Sequence, residues 1–91
     1  MKIALVTGAS RGIGRAIANS LAASGVVVAV HYDKSADAAN QVVAEIIKGG
    51  GKALAFQGSL GMPQMPADLV RRVNTELGAI DILVNNAAVM T

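Results

Sequence analysis

Thr7-Gly8-Ala9-Ser10-Arg11-Gly12-Ile13-Gly14 is the stretch that decides the fold. It follows Lys2-Ile3-Ala4-Leu5-Val6, an apolar run of strand length, and precedes Ile13, Ala16, Ile17 and Leu21, which recur at helical spacing. A glycine cluster between a strand and a helix is a phosphate-binding context. Glycine admits backbone angles that other residues avoid and lets a ligand approach the main chain with no Cβ in the way. A helix starting near Gly12 offers unpaired N–H groups and the positive end of its dipole, which together stabilise a pyrophosphate without a charged side chain. Gly14, inside the first turn, lets the helix pack closely. The alternative, a turn that merely needs flexibility, leaves three glycines within seven residues unexplained, since each costs backbone entropy.

Outward from this loop the pattern repeats. Gly25 ends the first helix, and Val26 to Val30 is a continuously apolar, valine-rich run of the kind buried on both faces of a parallel sheet. Ser35 to Lys48 carries a helical stripe of Ala39, Val42, Val43, Ile46 and Ile47, with Ser35 as the expected N-cap and Gly49-Gly50-Gly51 as the stop. Lys52 to Gln57 is a third strand, and Gly58 to Pro66 a loop holding both prolines. Ala67 to Leu77 is a third helix, closed by Gly78, and Ile80 to Val84 a fourth strand ending at Asn85-Asn86. The order βαβαβαβ predicts an α/β fold with a parallel sheet and helices on its faces, as one domain over residues 1–91.

Composition removes several function classes. There is no cysteine among 91 residues, so thiolate metal and redox sites and disulfide scaffolds are out. With 53% hydrophobic and 15% charged residues the chain is too apolar for disorder. No apolar run reaches the ~18 residues of a membrane span, and Ile3 to Val6 is too short for a signal-peptide core. A soluble, cytoplasmic domain is the expectation. The net charge of +2 is scattered, and Tyr32 and Phe56 are the only aromatic side chains, so no platform for nucleic-acid binding is expected. His31 stands alone, without partners at ligand spacing, and is expected to be half-buried at a strand end. No metal site is expected.

The glycine spacing also excludes the Walker A loop, because Gly14 is followed by Arg15-Ala16 instead of Lys-Ser/Thr, and it differs from Gly-x-Gly-x-x-Gly. Thr-Gly-Ala-Ser-Arg-Gly-Ile-Gly resembles the cofactor loop of the classical short-chain dehydrogenases/reductases. Asn85-Asn86-Ala87-Ala88 resembles that family's Asn-Asn-Ala-Gly segment after the fourth strand. The resemblance spans essentially the whole chain. It implies a Rossmann-type doubly wound sheet of strand order 3-2-1-4, here truncated after its fourth strand, and a nicotinamide dinucleotide as cofactor.

Carried over residue by residue, the resemblance puts Gly8, Ser10, Arg11, Gly12, Ile13 and Gly14 against the pyrophosphate and adenosine ribose, with Asn86, Ala87 and Ala88 facing the ribose from the fourth strand. Ala88 replaces the family's glycine. After the third strand the family's Asp-Val pair is Ser59-Leu60, where Leu60 can pack an adenine face. At the end of the second strand, Tyr32 occupies the place of the NAD-selecting acid and is expected beside the ribose. Asp33 follows it, where it would repel a ribose phosphate, whereas Lys34 and Arg11 would attract one. NADP(H) is favoured, with NAD(H) the alternative.

The family's hydride transfer between nicotinamide and a carbonyl or alcohol uses a Tyr-x-x-x-Lys pair. Four residues after the only tyrosine, Tyr32, stands Ala36, so the chain holds no such pair and no catalytic residue is assigned. Expected, then, is the cofactor-binding portion of an oxidoreductase, inactive alone. The alternatives are a stand-alone nucleotide-binding or interaction module and an enzyme completed by a second chain. In each case the exposed edge of strand four is the surface for self-association or for pairing with a C-terminal half.

Overall fold

A computed structural model describes residues 1–87. Four parallel strands, β1 (Ile3–Val6), β2 (Val27–Tyr32), β3 (Ala53–Gln57) and β4 (Ile82–Val84), lie in the order β3-β2-β1-β4. Three helices connect them: α1 (Gly12–Ala23), α2 (Ala36–Lys48) and α3 (Met65–Glu76). The expected order of elements and of strands is the observed one.

Strand alternation divides the core in two. Val6, Val28 and Val30 point to the face covered by α1 and α2, where Ala18, Ala39, Val42 and Ile46 meet them. Ile3, Leu5, Val27, Ala29 and Phe56 point the other way, onto Leu69 and Val73 of α3. Each such buried valine or leucine contributes about 1.5–3 kcal/mol over an exposed one. β1 is buried along its whole length because it lies between β2 and β4. Two helices cover one face and a single helix the other, which leaves Leu83 of β4 60% exposed beside an apolar cleft of about 170 Å³.

Several boundaries differ from expectation. β2 continues through His31 and Tyr32, because their main chains pair with Phe56 and Gln57 of β3 even though the apolar run ends at Val30. α3 starts at Met65, two residues early, since a proline fits the first turn where its missing N–H is not needed. β4 starts late: Asp81 closes β1 instead, its N–H donating to the Ile3 carbonyl at 2.8 Å and its carboxylate accepting from Ile3 N at 2.9 Å. Ser35 holds the N-cap position of α2, yet its side chain caps nothing.

Helices α1 and α2 are tied at their surface by Arg15, which pairs with Glu45, while Asn19 donates to the same carboxylate at 3.2 Å. The Arg15 guanidinium, then Asn19, hold the Glu45 carboxyl below its ordinary value. For a depressed carboxylate the stabilisation is complete above the unfolded-state value and lost as pH falls through the folded one. An acid titration followed by NMR should therefore place the Glu45 midpoint below the ordinary glutamate value. Glu45→Gln should shallow the acid limb of the stability curve only slightly, the pair being exposed. An ordinary Glu45 midpoint would show that the pair does not persist in solution. No helix among the described residues is long and apolar enough to cross a membrane.

Candidate functional site

The candidate site is a cleft of about 490 Å³ at the C-terminal ends of β1, β2 and β4. In an open parallel sheet this is the end at which ligands bind, beside the point where strand order reverses. Here β1 is that point, with β2 on one side and β4 on the other. Gly8, Ser10, Tyr32, Asp33, Lys34, Leu60, Asn86 and Ala87 line the cleft, joined by His31 and Ser35.

The glycine loop is pinned from both flanks. Gly8 has φ +60, and its N–H donates to Nδ1 of His31 at 3.0 Å. The next amide, Ala9 N–H, donates to the His31 carbonyl at 2.9 Å. On the other side Asn86 Nδ2 donates to the Gly8 carbonyl at 3.2 Å, and a Cβ at Gly8 would stand 2.9 Å from the Ala87 Cα. Gly14 is buried against the same groups: a Cβ there would overlap the Gly8 carbonyl oxygen and lie 2.5 Å from Asn86 Nδ2. The close packing expected of Gly14 is thus made against the Gly8 carbonyl and the Asn86 side chain just after β4.

Beyond Ala9 the main chain turns outward. Among the described residues, no acceptor takes the N–H of Ser10, Arg11, Gly12, Ile13 or Gly14; the first intrahelical bond is Arg15 N–H to the Arg11 carbonyl. Gly12, at φ +57, has no atom within 4 Å of where a Cβ would be. Free amides, the start of a twelve-residue helix and open space therefore coincide. A diphosphate supplies the acceptor oxygens and negative charge that such a cradle lacks. Ile13, 73% exposed, stands on the first turn beside this space.

The Arg11 guanidinium crosses to the start of α2 and donates to Ser35 Oγ at 2.9 Å. Lys34 and Asp33 line the cleft side by side, whereas Arg11 does not line it and reaches its wall only through Ser35. Tyr32 is half-buried against the α1–α2 core while one side lines the cleft. Ser59 is separate from this group. Its hydroxyl accepts from Gln57 Nε2 at 3.3 Å, and it lines a neighbouring cleft of about 220 Å³ with Met62 and Asp68. Ala88 lies outside the described residues.

Three residues with a part in the site were not assigned one from the sequence. His31 is fully buried instead of half-buried, with both ring nitrogens bonded. Ser35 meets Arg11 rather than its own helix. Thr7 Oγ1 accepts from Asn86 N–H at 2.9 Å and Ala87 N–H at 3.0 Å, fixing the segment after β4. A hydroxyl just before the glycine cluster was the available signal for Thr7; nothing local marks the other two.

Known proteins share this arrangement. The family model for short chain dehydrogenases matches residues 2–91. A 3-oxoacyl-[acyl-carrier-protein] reductase of Synechocystis sp. is 48% identical over 88 residues, covering 97% of this chain and 36% of that protein. The short-chain dehydrogenase/reductase homolog YusS of Bacillus subtilis is 42% identical over 88 residues, and there the match covers 81% of the relative. A short chain dehydrogenase from Burkholderia cenocepacia, solved in complex with NADP, superposes with a TM-score of 0.91 at 50% identity, covering 99% of this chain and 37% of that one. The chain thus spans little more than a third of the first and third of these proteins.

Proposed function

The chain belongs to the short-chain dehydrogenase family, and from that premise we propose that it is the dinucleotide-binding portion of a short-chain oxidoreductase, with NADP(H) its favoured cofactor. The observation that carries this reading is the run of free amides from Ser10 to Gly14 over the open space at Gly12. There the cofactor's pyrophosphate would sit, with Asn86 and Ala87 toward one ribose and Tyr32 and Leu60 along the adenosine. Arg11, Lys34 and Ser35 would take the ribose phosphate that distinguishes NADP from NAD. Once bound, the nicotinamide supplies a hydride donor or acceptor for carbonyl/alcohol chemistry. What the described residues supply is the cradle, the charge and the closely packed floor. We place the protein in the cytoplasm and as one domain on the same reading.

Parallel fluorescence titrations with NADPH and NADH test the assignment. NADPH should bind more tightly. Arg11→Ala should weaken NADPH by about ten-fold or more and NADH by less than about three-fold, the loss expected for one hydrogen bond to a charged group. A ten-fold preference for NADH in the unaltered chain would overturn the choice of NADP(H).

A second reading is a stand-alone, non-catalytic module, and the 81% coverage of YusS favours it. On that reading the β4 edge, where Leu83 is exposed, pairs with a second chain or with a separate C-terminal half. A cooperatively folding 91-residue chain that binds NADPH would favour the module. An in-frame Tyr-x-x-x-Lys beyond Thr91 would decide for the larger enzyme.

A further inference from the structure

His31 is the only ionisable side chain among the described residues that is fully buried. Its ring bridges two backbone groups whose polarity is fixed. The Gly8 N–H can only donate, at 3.0 Å from Nδ1, and the Gly58 carbonyl can only accept, at 2.9 Å from Nε2. A neutral imidazole has one acceptor and one donor nitrogen, so these partners demand the tautomer with its proton on Nε2. Gly58 is buried and tightly placed as well: a Cβ there would meet Met65 Sδ at 2.8 Å and His31 Nε2 at 3.3 Å. Gly8 opens the loop before α1, and Gly58 opens the segment leading to Leu60 on the opposite wall of the cleft.

We propose that His31, as the neutral Nε2–H imidazole, is the positioning residue that ties these two walls together and holds the glycine loop in its binding geometry before any ligand arrives. Its backbone carbonyl takes the Ala9 amide, so one residue of β2 fixes two successive amides of the loop. The Gly8 amide is thereby spent on the protein, which leaves the later amides, from Ser10 onward, for a ligand. The effect on cofactor affinity rests on the dinucleotide reading; the tether itself does not.

Three substitutions divide the ring's two bonds. The carboxamide of His31→Asn stands where Nδ1 does and keeps an acceptor for Gly8, that of His31→Gln reaches the Nε2 position and keeps a donor for Gly58, and His31→Phe keeps the volume with neither. Hydrogen exchange of the Gly8 amide in the ligand-free chain should show protection in the unaltered protein and in His31→Asn, and its loss in the Gln and Phe variants. A long-range proton–nitrogen spectrum should show a neutral ring protonated at Nε2. NADPH affinity should fall about ten-fold in His31→Phe and within about three-fold in His31→Asn, as one buried unpaired amide implies. A proton on Nδ1, or a Gly8 amide as well protected in His31→Phe as in the parent, would overturn the proposal. If His31→Phe does not fold, the Asn–Gln contrast and the ring spectrum decide. If the parent chain binds no dinucleotide, the functional reading fails while exchange and tautomer still test the tether.

Discussion

Gly14→Ala is expected to remove dinucleotide binding and to lower the melting temperature by roughly 4–24 °C, the largest single-residue effect expected at this site. A methyl group at Gly14 would overlap the Gly8 carbonyl oxygen and crowd Asn86 Nδ2 at 2.5 Å. Neither neighbour can yield cheaply. The Gly8 carbonyl belongs to a loop whose amide is held by His31, and Asn86 Nδ2 is bonded to that same carbonyl. Overpacking of this kind costs about 1–3 kcal/mol, and in a chain of this size each kcal/mol moves the midpoint by about 4–8 °C. The alternative to paying in stability is to swing the start of α1 away from β4, which would misplace the amides of Gly12 and Ile13. Gly12→Ala is the control. Gly12 has φ +57 but open space around it, so alanine there meets no atom and bears only the left-handed backbone penalty of about 1–2 kcal/mol. Both variants should lose stability, so NADPH titration is the measurement that separates a steric from a conformational role: binding should be lost in Gly14→Ala and kept in Gly12→Ala. Equal NADPH binding by Gly14→Ala and the parent would show that the loop can shift without loss of the site.

The contrast between these two glycines marks what the sequence could and could not disclose. That glycines were needed between β1 and α1 followed from their spacing and from the strand and helix patterns around them. What Gly14 packs against did not, because the groups that exclude a side chain there include Asn86, 72 residues away along the chain. The parallel sheet was legible for a related reason: apolar periodicity is a property of each segment, and parallel alternation leaves few topologies; its strand order followed only from the family resemblance. His31 shows the limit. On a strand it is one polar residue after a run of valines, and only the approach of Gly8 and Gly58 from two other segments makes it a buried bridge. Ser35 is similar, since an N-cap preference is local but a bond to Arg11 is not. Ser59 carries the opposite lesson. A position matched by family pattern faces a neighbouring cleft here, where Gln57 supplies its partner.

Thr7→Val is the second substitution with a large expected effect, and it acts on the wall opposite His31. Valine matches threonine in shape, so packing under the loop is kept and only the hydroxyl is lost. That hydroxyl accepts from Asn86 N–H and Ala87 N–H, and donates its one proton toward Asn85 Oδ1 at 3.1 Å or the Val84 carbonyl at 3.4 Å. Asn86 N–H has a fallback, the Val84 carbonyl at 3.1 Å; among the described residues Ala87 N–H has none. A buried amide left without an acceptor costs about 1–3 kcal/mol, and the half-buried Ala87 places the expected loss toward the lower part of that range. The effect on binding should exceed the effect on stability. Asn86 and Ala87 line the cleft and press on Gly8, so a segment free to move there loosens the loop from its β4 side. NADPH affinity is expected to fall by about ten-fold or more, while Thr7→Ser, which restores the hydroxyl, should recover it to within about three-fold. Unchanged affinity in Thr7→Val would mean that the Asn86 side-chain bond to Gly8 suffices to hold the segment. In that event Asn86→Ala, and not Thr7→Val, should abolish binding, and the β4 wall would depend on one carboxamide where the β2 wall depends on one imidazole.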